Sequence, residues 1–223
     1  MNTEYIKDYR YKELKQYVLA YLLIAISSVG FYTEESVKSM GLLPSLFSMA
    51  TIDALVGATC VLVFVFNELW SDKAKTKIVY RKMPSATIFS DIASGKIDAT
   101  GFDLIKAQRM YVHVSKATEN QQTAEWNRLL KKSRDAGWGN VIEAERLQLM
   151  TRDICMSTIS LLIMTGIVLV VLMIVYMNVC NPIKMLAIPL AYLVAMLFIS
   201  RTAAKKRADR LVTMVIKNDV QSS

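Results

Sequence analysis

Asp53 has the strongest physical claim to a functional role in this sequence. It is a lone acid in the otherwise charge-free apolar block from Leu42 to Phe66. An ionised carboxylate in hydrocarbon is disfavoured by ~2.5–3.5 kcal/mol on insertion scales, so such a residue usually faces a bundle interior or an aqueous cavity. Helical spacing sets Ala50 and Gly57 one turn from it and Cys60 two turns on. Ala50, Ala54 and Ala58 recur every four residues, a surface small enough for helices to approach closely. Together these residues read as a polar, tightly packed seam along a pore or a helix interface. The competing account places the start of the bilayer near Ala54 and makes Asp53 an interfacial cap on the outer side.

A second candidate is basic. Arg128, Lys131, Lys132 and Arg134 form the one cationic cluster remote in sequence from any apolar block. Such a cluster can hold phosphate, in a nucleotide or along a nucleic-acid backbone, without reading sequence. Trp126 and Trp138 would supply stacking surfaces. In the alternative reading Trp126, Leu129 and Leu130 are core, and the bases are the solvated face of their helix. Two further basic runs, Lys73–Lys82 and Arg201–Arg210, adjoin apolar blocks. There, anionic lipid headgroups account for them at ~1 kcal/mol per base.

Little else in the sequence could do chemistry. The single histidine, His113, stands beside Tyr111, Val112 and Val114 with no cysteine near it, which fits packing better than proton transfer. Cys60, Cys155 and Cys180 fall at three different depths of the apolar pattern, matching neither a zinc set nor a disulfide framework. Ser94-Gly95-Lys96 lacks the earlier glycine of a P-loop, and GxSxG and HExxH are absent. Asp91, Asp98 and Asp103 are irregularly spaced and suit turns and caps. The expectation is a non-enzymatic chain without a cofactor.

The elements that must position these residues follow from where the apolar residues fall. The chain has 223 residues, is 53% hydrophobic and carries a net charge of +8. Its apolar residues concentrate in four blocks: Tyr17–Tyr32, Leu42–Phe66, Ile154–Val179 and Ile183–Ile199. The third runs 26 residues without a charge, beyond the ~18 expected of a membrane-spanning helix. Of 27 Lys and Arg, only two fall on the other side of this pattern: Lys38 in the first short connection, near residues 33–41, and Lys184 at the start of the fourth block, just after the second connection at 180–182. By the positive-inside rule the remaining 25 face the cytoplasm, together with both termini. A cleavable leader ending near Ser28-Val29-Gly30 fits less well, because Glu4, Asp8 and Glu13 interrupt the bases that precede the first block.

The expected fold is therefore an all-α membrane protein with four transmembrane helices in two hairpins and a small, mostly helical cytoplasmic domain between them. Residues 1–16 would form an interfacial helix, 17–70 the first hairpin, 71–152 the cytoplasmic domain, 153–200 the second hairpin and 201–223 a basic tail. Within the middle segment, Ser85 is expected to cap a short helix that stops at Gly95, burying Ile88, Phe89 and Ile92. Residues 101–114 are ambiguous, since Met110–Val114 has strand-like composition. A helix is expected from Thr118 or Asn120 to Arg134. Another, capped by Asn140, should run directly into the third block as one rod of about 40 residues, or ~60 Å. Leu211, Val212, Met214 and Val215 suggest a short helix lying on lipid or on the cytoplasmic domain.

Three function classes remain: a sensor, effector or scaffold; a homo-oligomeric ion channel with Asp53 on its pathway; and, least supported, a membrane enzyme. The expected partners are anionic headgroups of the bacterial inner membrane, further copies of the chain and a soluble cytoplasmic protein, with nucleic acid or nucleotide as a further possibility. In layout, two hairpins around a cytoplasmic module, the chain resembles small membrane effectors of bacterial antiphage systems. That resemblance implies a role in antiphage defence.

Overall fold

The computed structural model describes the backbone of residues 4–37, 49–81, 83–96, 103–176 and 182–222. Side chains are described for residues 12–28, 57–81, 83, 85–96, 103–174 and 183–222. Of the described residues 91% are helical and none lies in a strand. The helices are α1 (Glu4–Val37), α2 (Met49–Leu69), α3 (Asp72–Tyr80), α4 (Ile88–Ala93), α5 (Leu104–Ser115), α6 (Glu119–Asp135), α7 (Gly139–Tyr176) and α8 (Pro182–Ser222). The chain divides into two units: Met1–Ser71 with Asp153–Ser200, and Asp72–Arg152 with Arg201–Ser223.

In the first unit, α1, α2 and parts of α7 and α8 share one apolar cluster, with Tyr17, Val18, Tyr21, Leu22, Val63, Leu161 and Leu193 buried at its centre. The apolar stretches of α7 and α8 are each long and apolar enough to cross a membrane, while the described apolar part of α2, Gly57–Leu69, is shorter. Around the cluster the outward side chains include Leu23, Val61, Phe64, Ile167, Val171, Ile174 and Phe198, all exposed. The residues turned inward include Ser28, Thr59, Asn67, Ser157, Thr158 and Thr165. Where water is the solvent this arrangement is unfavourable; in lipid it is the economical one, because polar groups find partners only inside. The segment ahead of the first block is helical and leads into it without a break, since α1 runs for 34 residues.

Pro189 lies inside α8. Lacking an N–H, a proline leaves the carbonyl four residues earlier without its helical donor. Here that carbonyl belongs to Met185, and Ser28 Oγ on α1 donates to it at 2.7 Å. A neighbouring hydroxyl thus restores the missing bond, and the helix continues through the proline.

The second unit has a conventional core. Ile88, Phe89 and Ile92 of α4, Ala107 and Tyr111 of α5, and Trp126 and Leu129 of α6 pack with Val141 and Ala144 of α7. Leu211, Val212, Val215, Ile216 and Val220 of α8 complete this core. The tail is therefore no short helix of its own: it is the end of a 41-residue helix. Its apolar stripe is buried within this unit.

Three local expectations are resolved. The ambiguous stretch is helical from Leu104 to Ser115, with the Asp103 carboxylate accepting from the Lys106 N–H at 3.0 Å. Its β-branched residues are overridden because Leu104, Ala107 and Tyr111 form a stripe at helical spacing against the core. Ser85 does not cap the preceding helix: Pro84–Ala86 form a 3-10 turn and α4 begins after Thr87. Gly95, at φ +67°, adopts the left-handed conformation that stops this segment, and Gly137, at φ +69°, does the same after α6. Thr118 opens α6 through a capping box with Gln121.

Candidate functional site

Two constellations carry polar chemistry, one in each unit. In the first unit they lie along α7. Ser157, Thr158 and Thr165 each donate a hydroxyl back to the carbonyl four residues earlier, at 2.7–2.8 Å. With its proton committed, each oxygen can only accept from another helix. The Tyr17 phenol accordingly donates to Thr158 Oγ1 at 2.7 Å, and Tyr21 to Thr165 Oγ1 at 2.5 Å, both from α1. Asn67 Nδ2 on α2 donates to Ser157 Oγ at 2.8 Å. These chains polarise one another and join three helices. The Asn67 Oδ1 atom is buried and accepts no hydrogen bond among the described residues.

Asp53, Ala50 and Ala54 fall on α2, and their side chains lie outside the described residues. Gly57 and Ala58 are exposed, and a Cβ added at Gly57 would meet nothing within 4 Å. The side of α2 turned inward carries Thr59, Val63 and Asn67 instead. These polar partners were missed by reading the blocks as uniformly apolar. The available signal was the run Ser157, Thr158, Ser160 and Thr165 inside a charge-free segment.

In the second unit the basic cluster on α6 is largely occupied. Arg128 pairs with Glu125 one turn earlier, through contacts of 2.5 and 2.8 Å. Arg134 makes a two-pronged pair with the buried Glu145 of α7. Lys132 reaches Asp219 of α8 at 2.7 Å, and the Tyr111 phenol donates to the other oxygen of that carboxylate at 2.5 Å. Hydrogen bonds to Glu125 and Glu145 raise the pKa of Arg128 and Arg134, respectively. Burial, reinforced by Asp219, pushes the Tyr111 phenol far above its ordinary value. Lys131 is exposed and has no ion pair among the described residues. Trp126 is buried in the core and offers no open ring face for stacking; Trp138 packs partly against the same core.

Unneutralised positive charge gathers elsewhere in this unit. Asn140, Glu143, Ala144 and Leu147 of α7 face Arg207, Arg210 and Met214 of α8 across a cleft of about 220 Å³. Arg207 Nη1 donates to the Leu147 carbonyl at 3.2 Å, which fixes its guanidinium at the cleft wall. Arg210 is exposed and has no hydrogen bond or ion pair among the described residues. Asn140 Oδ1 accepts from the Val141 N–H at 2.9 Å and from Asn218 Nδ2 at 3.1 Å, so its own amide nitrogen is left to donate. In the sequence these arginines read as part of a membrane-flanking run; only the fold of α8 onto α7 makes them the wall of a cleft. No group of three His, Cys, Asp or Glu among the described residues is placed to hold a metal ion. No family model, no curated protein and no solved structure matches the chain.

Proposed function

We propose that the protein is a multi-pass membrane scaffold or sensor. Its first unit crosses the bilayer with four helices, both termini face the cytoplasm, and its second unit receives a cytoplasmic partner or signal. The bacterial inner membrane is the proposed location, and defence against phage a proposed context. The observation that carries this reading is the opposite polarity of the two units. Apolar side chains face outward around the first, whereas the second encloses an apolar core and pairs its buried carboxylates Glu145 and Asp219 with Arg134 and Lys132. The division of Lys and Arg supports the same orientation, since only Lys38 and Lys184 fall on the far side.

Topology is tested with a membrane-impermeant maleimide on intact cells. Cys180 should label from outside, and labelling only after permeabilisation would overturn the arrangement. A second reading, a homo-oligomeric channel with Asp53 on its pathway, is favoured by the exposed Gly57 and Ala58, which leave room for a helix of another copy. Proteoliposomes of the full chain separate the two. The scaffold reading expects no conductance, whereas a conductance abolished by Asp53→Asn would replace it with the channel.

A further inference from the structure

We propose that the cleft walled by Arg207 and Arg210 binds a phosphate monoester with a small hydroxyl-bearing body; this deepens the sensor reading by giving the second unit a ligand class. Its volume is about 220 Å³, room for a phosphate and a short polar body, and most of its lining residues are polar.

The donor chemistry is that of phosphate. A guanidinium offers parallel N–H groups that match two phosphate oxygens, and Arg207 is already oriented by the Leu147 carbonyl at 3.2 Å. Arg210 stands beside it with its donors uncommitted among the described residues. Asn140 adds an amide donor from the first turn of α7, where the helix dipole also favours an anion. Lys205 and Lys206 lie on the same stretch of α8, and both are exposed. The contrast with α6 matters. Arg128, Lys132 and Arg134 each face a carboxylate within the unit, while the only carboxylate lining the cleft is Glu143 against two arginines. Glu143 also explains the preference for hydroxyls: it repels a second anionic group but accepts a hydrogen bond from an O–H.

Both a soluble phosphate ester and a phosphomonoester lipid headgroup have this chemistry, so two probes are used on the full chain in neutral detergent. Titration calorimetry with glycerol 3-phosphate should give saturable binding that is absent with glycerol. Arg210→Ala should weaken it at least tenfold, Arg210→Lys less, because charge remains while the fork is lost, and Lys131→Ala not at all. Saturable binding to mixed micelles containing lysophosphatidic acid, a phosphomonoester lipid that keeps a free hydroxyl, with the same dependence on Arg210 but none to glycerol 3-phosphate, assigns the cleft to the headgroup. Absence of binding to both probes overturns the proposal, as does binding indifferent to Arg210→Ala. Labelling of Cys180 on intact cells reports separately on membrane topology, so a failure of the cleft and a failure of the scaffold reading are told apart.

Discussion

The two units share a pair of helices and obey opposite rules. Within α7, residues up to Arg152 bury Val141 and Ala144, in the usual manner of an amphipathic helix. From Asp153 onward the same helix buries Ser157, Thr158, Ser160 and Thr165 and exposes Ile163, Ile167, Val170 and Ile174. α8 inverts in the other direction: Ile188, Val194 and Phe198 are exposed before Ser200, and Leu211, Val215 and Ile216 are buried after it. Among the described residues, the only exposed large apolar side chains of the second unit are Ile105 and Val112. A continuous backbone has one geometry, so helix physics alone cannot produce this reversal. It is what the proposed placement requires, a first unit in lipid and a second in water, because water disfavours exposed apolar surface and lipid disfavours unpaired polar groups.

The comparison is broken most strongly in the core of the second unit. Phe89 is fully buried and packs its ring against Tyr111, with centroids 5.1 Å apart and planes tilted by 54°, so Phe89→Ala should destabilise the second unit by about 3–5 kcal/mol. Limited proteolysis of intact membranes should then cut residues 72–152 while residues 153–200 stay embedded. Unchanged resistance would show that this core is not the element holding the unit together.

Next come two isoleucines that look alike by exposure, Ile167 at 57% and Ile105 at 63%. Ile167→Lys should disfavour insertion by about 2.5–3.5 kcal/mol. Ile105→Lys, on a surface facing water, should stay within about 0.5 kcal/mol. Membrane-fraction yields of the two variants measure the difference, and equal tolerance would remove the distinction between the units.

A smaller effect tests polar pairing inside the first unit. Ser28→Ala leaves the Met185 carbonyl without a donor, an expected loss of about 1–3 kcal/mol. In a Pro189→Ala background the new N–H takes over, and the effect of Ser28→Ala should vanish. Unfolding of the four variants in mixed micelles gives the cycle, and additivity would refute the compensation.

The smallest effect concerns pH. Burial raises the pKa of the Asp209 carboxyl, with Lys205 opposing. A raised native pKa means that the native state holds its proton to higher pH than the unfolded chain. Stability from this group is thus present at acid pH and lost as pH climbs through the native value. Asp209→Asn should add a few tenths of a kcal/mol near neutrality, given the exposure of the residue, and nothing at low pH. Melting curves at both extremes provide the check.

Much of the local structure could be read directly. Asp103 and Thr118 sit where caps are needed, Gly95 and Gly137 where the chain must turn left-handed, and Ile88, Phe89 and Ile92 are buried as their spacing requires. The site was less legible because its partners are remote in sequence. Lys132 meets a carboxylate 87 residues away, Ser28 meets a carbonyl 157 residues away, and Arg207 reaches the Leu147 carbonyl 60 residues away. Charge clustering alone favours Arg128–Arg134, but burial and ion pairing shift the available positive charge to Arg207 and Arg210.

Composition and spacing by themselves determined an all-helical chain whose apolar residues gather in blocks and whose basic residues lie almost wholly between and beyond them. These are local properties, set by backbone propensity and by the transfer free energy of each side chain. Tertiary structure decided which face of each helix turns inward, which cations are neutralised, and that the end of α8 closes the core of the second unit. Those outcomes depend on which groups meet across long loops, and no window of neighbouring residues contains that information.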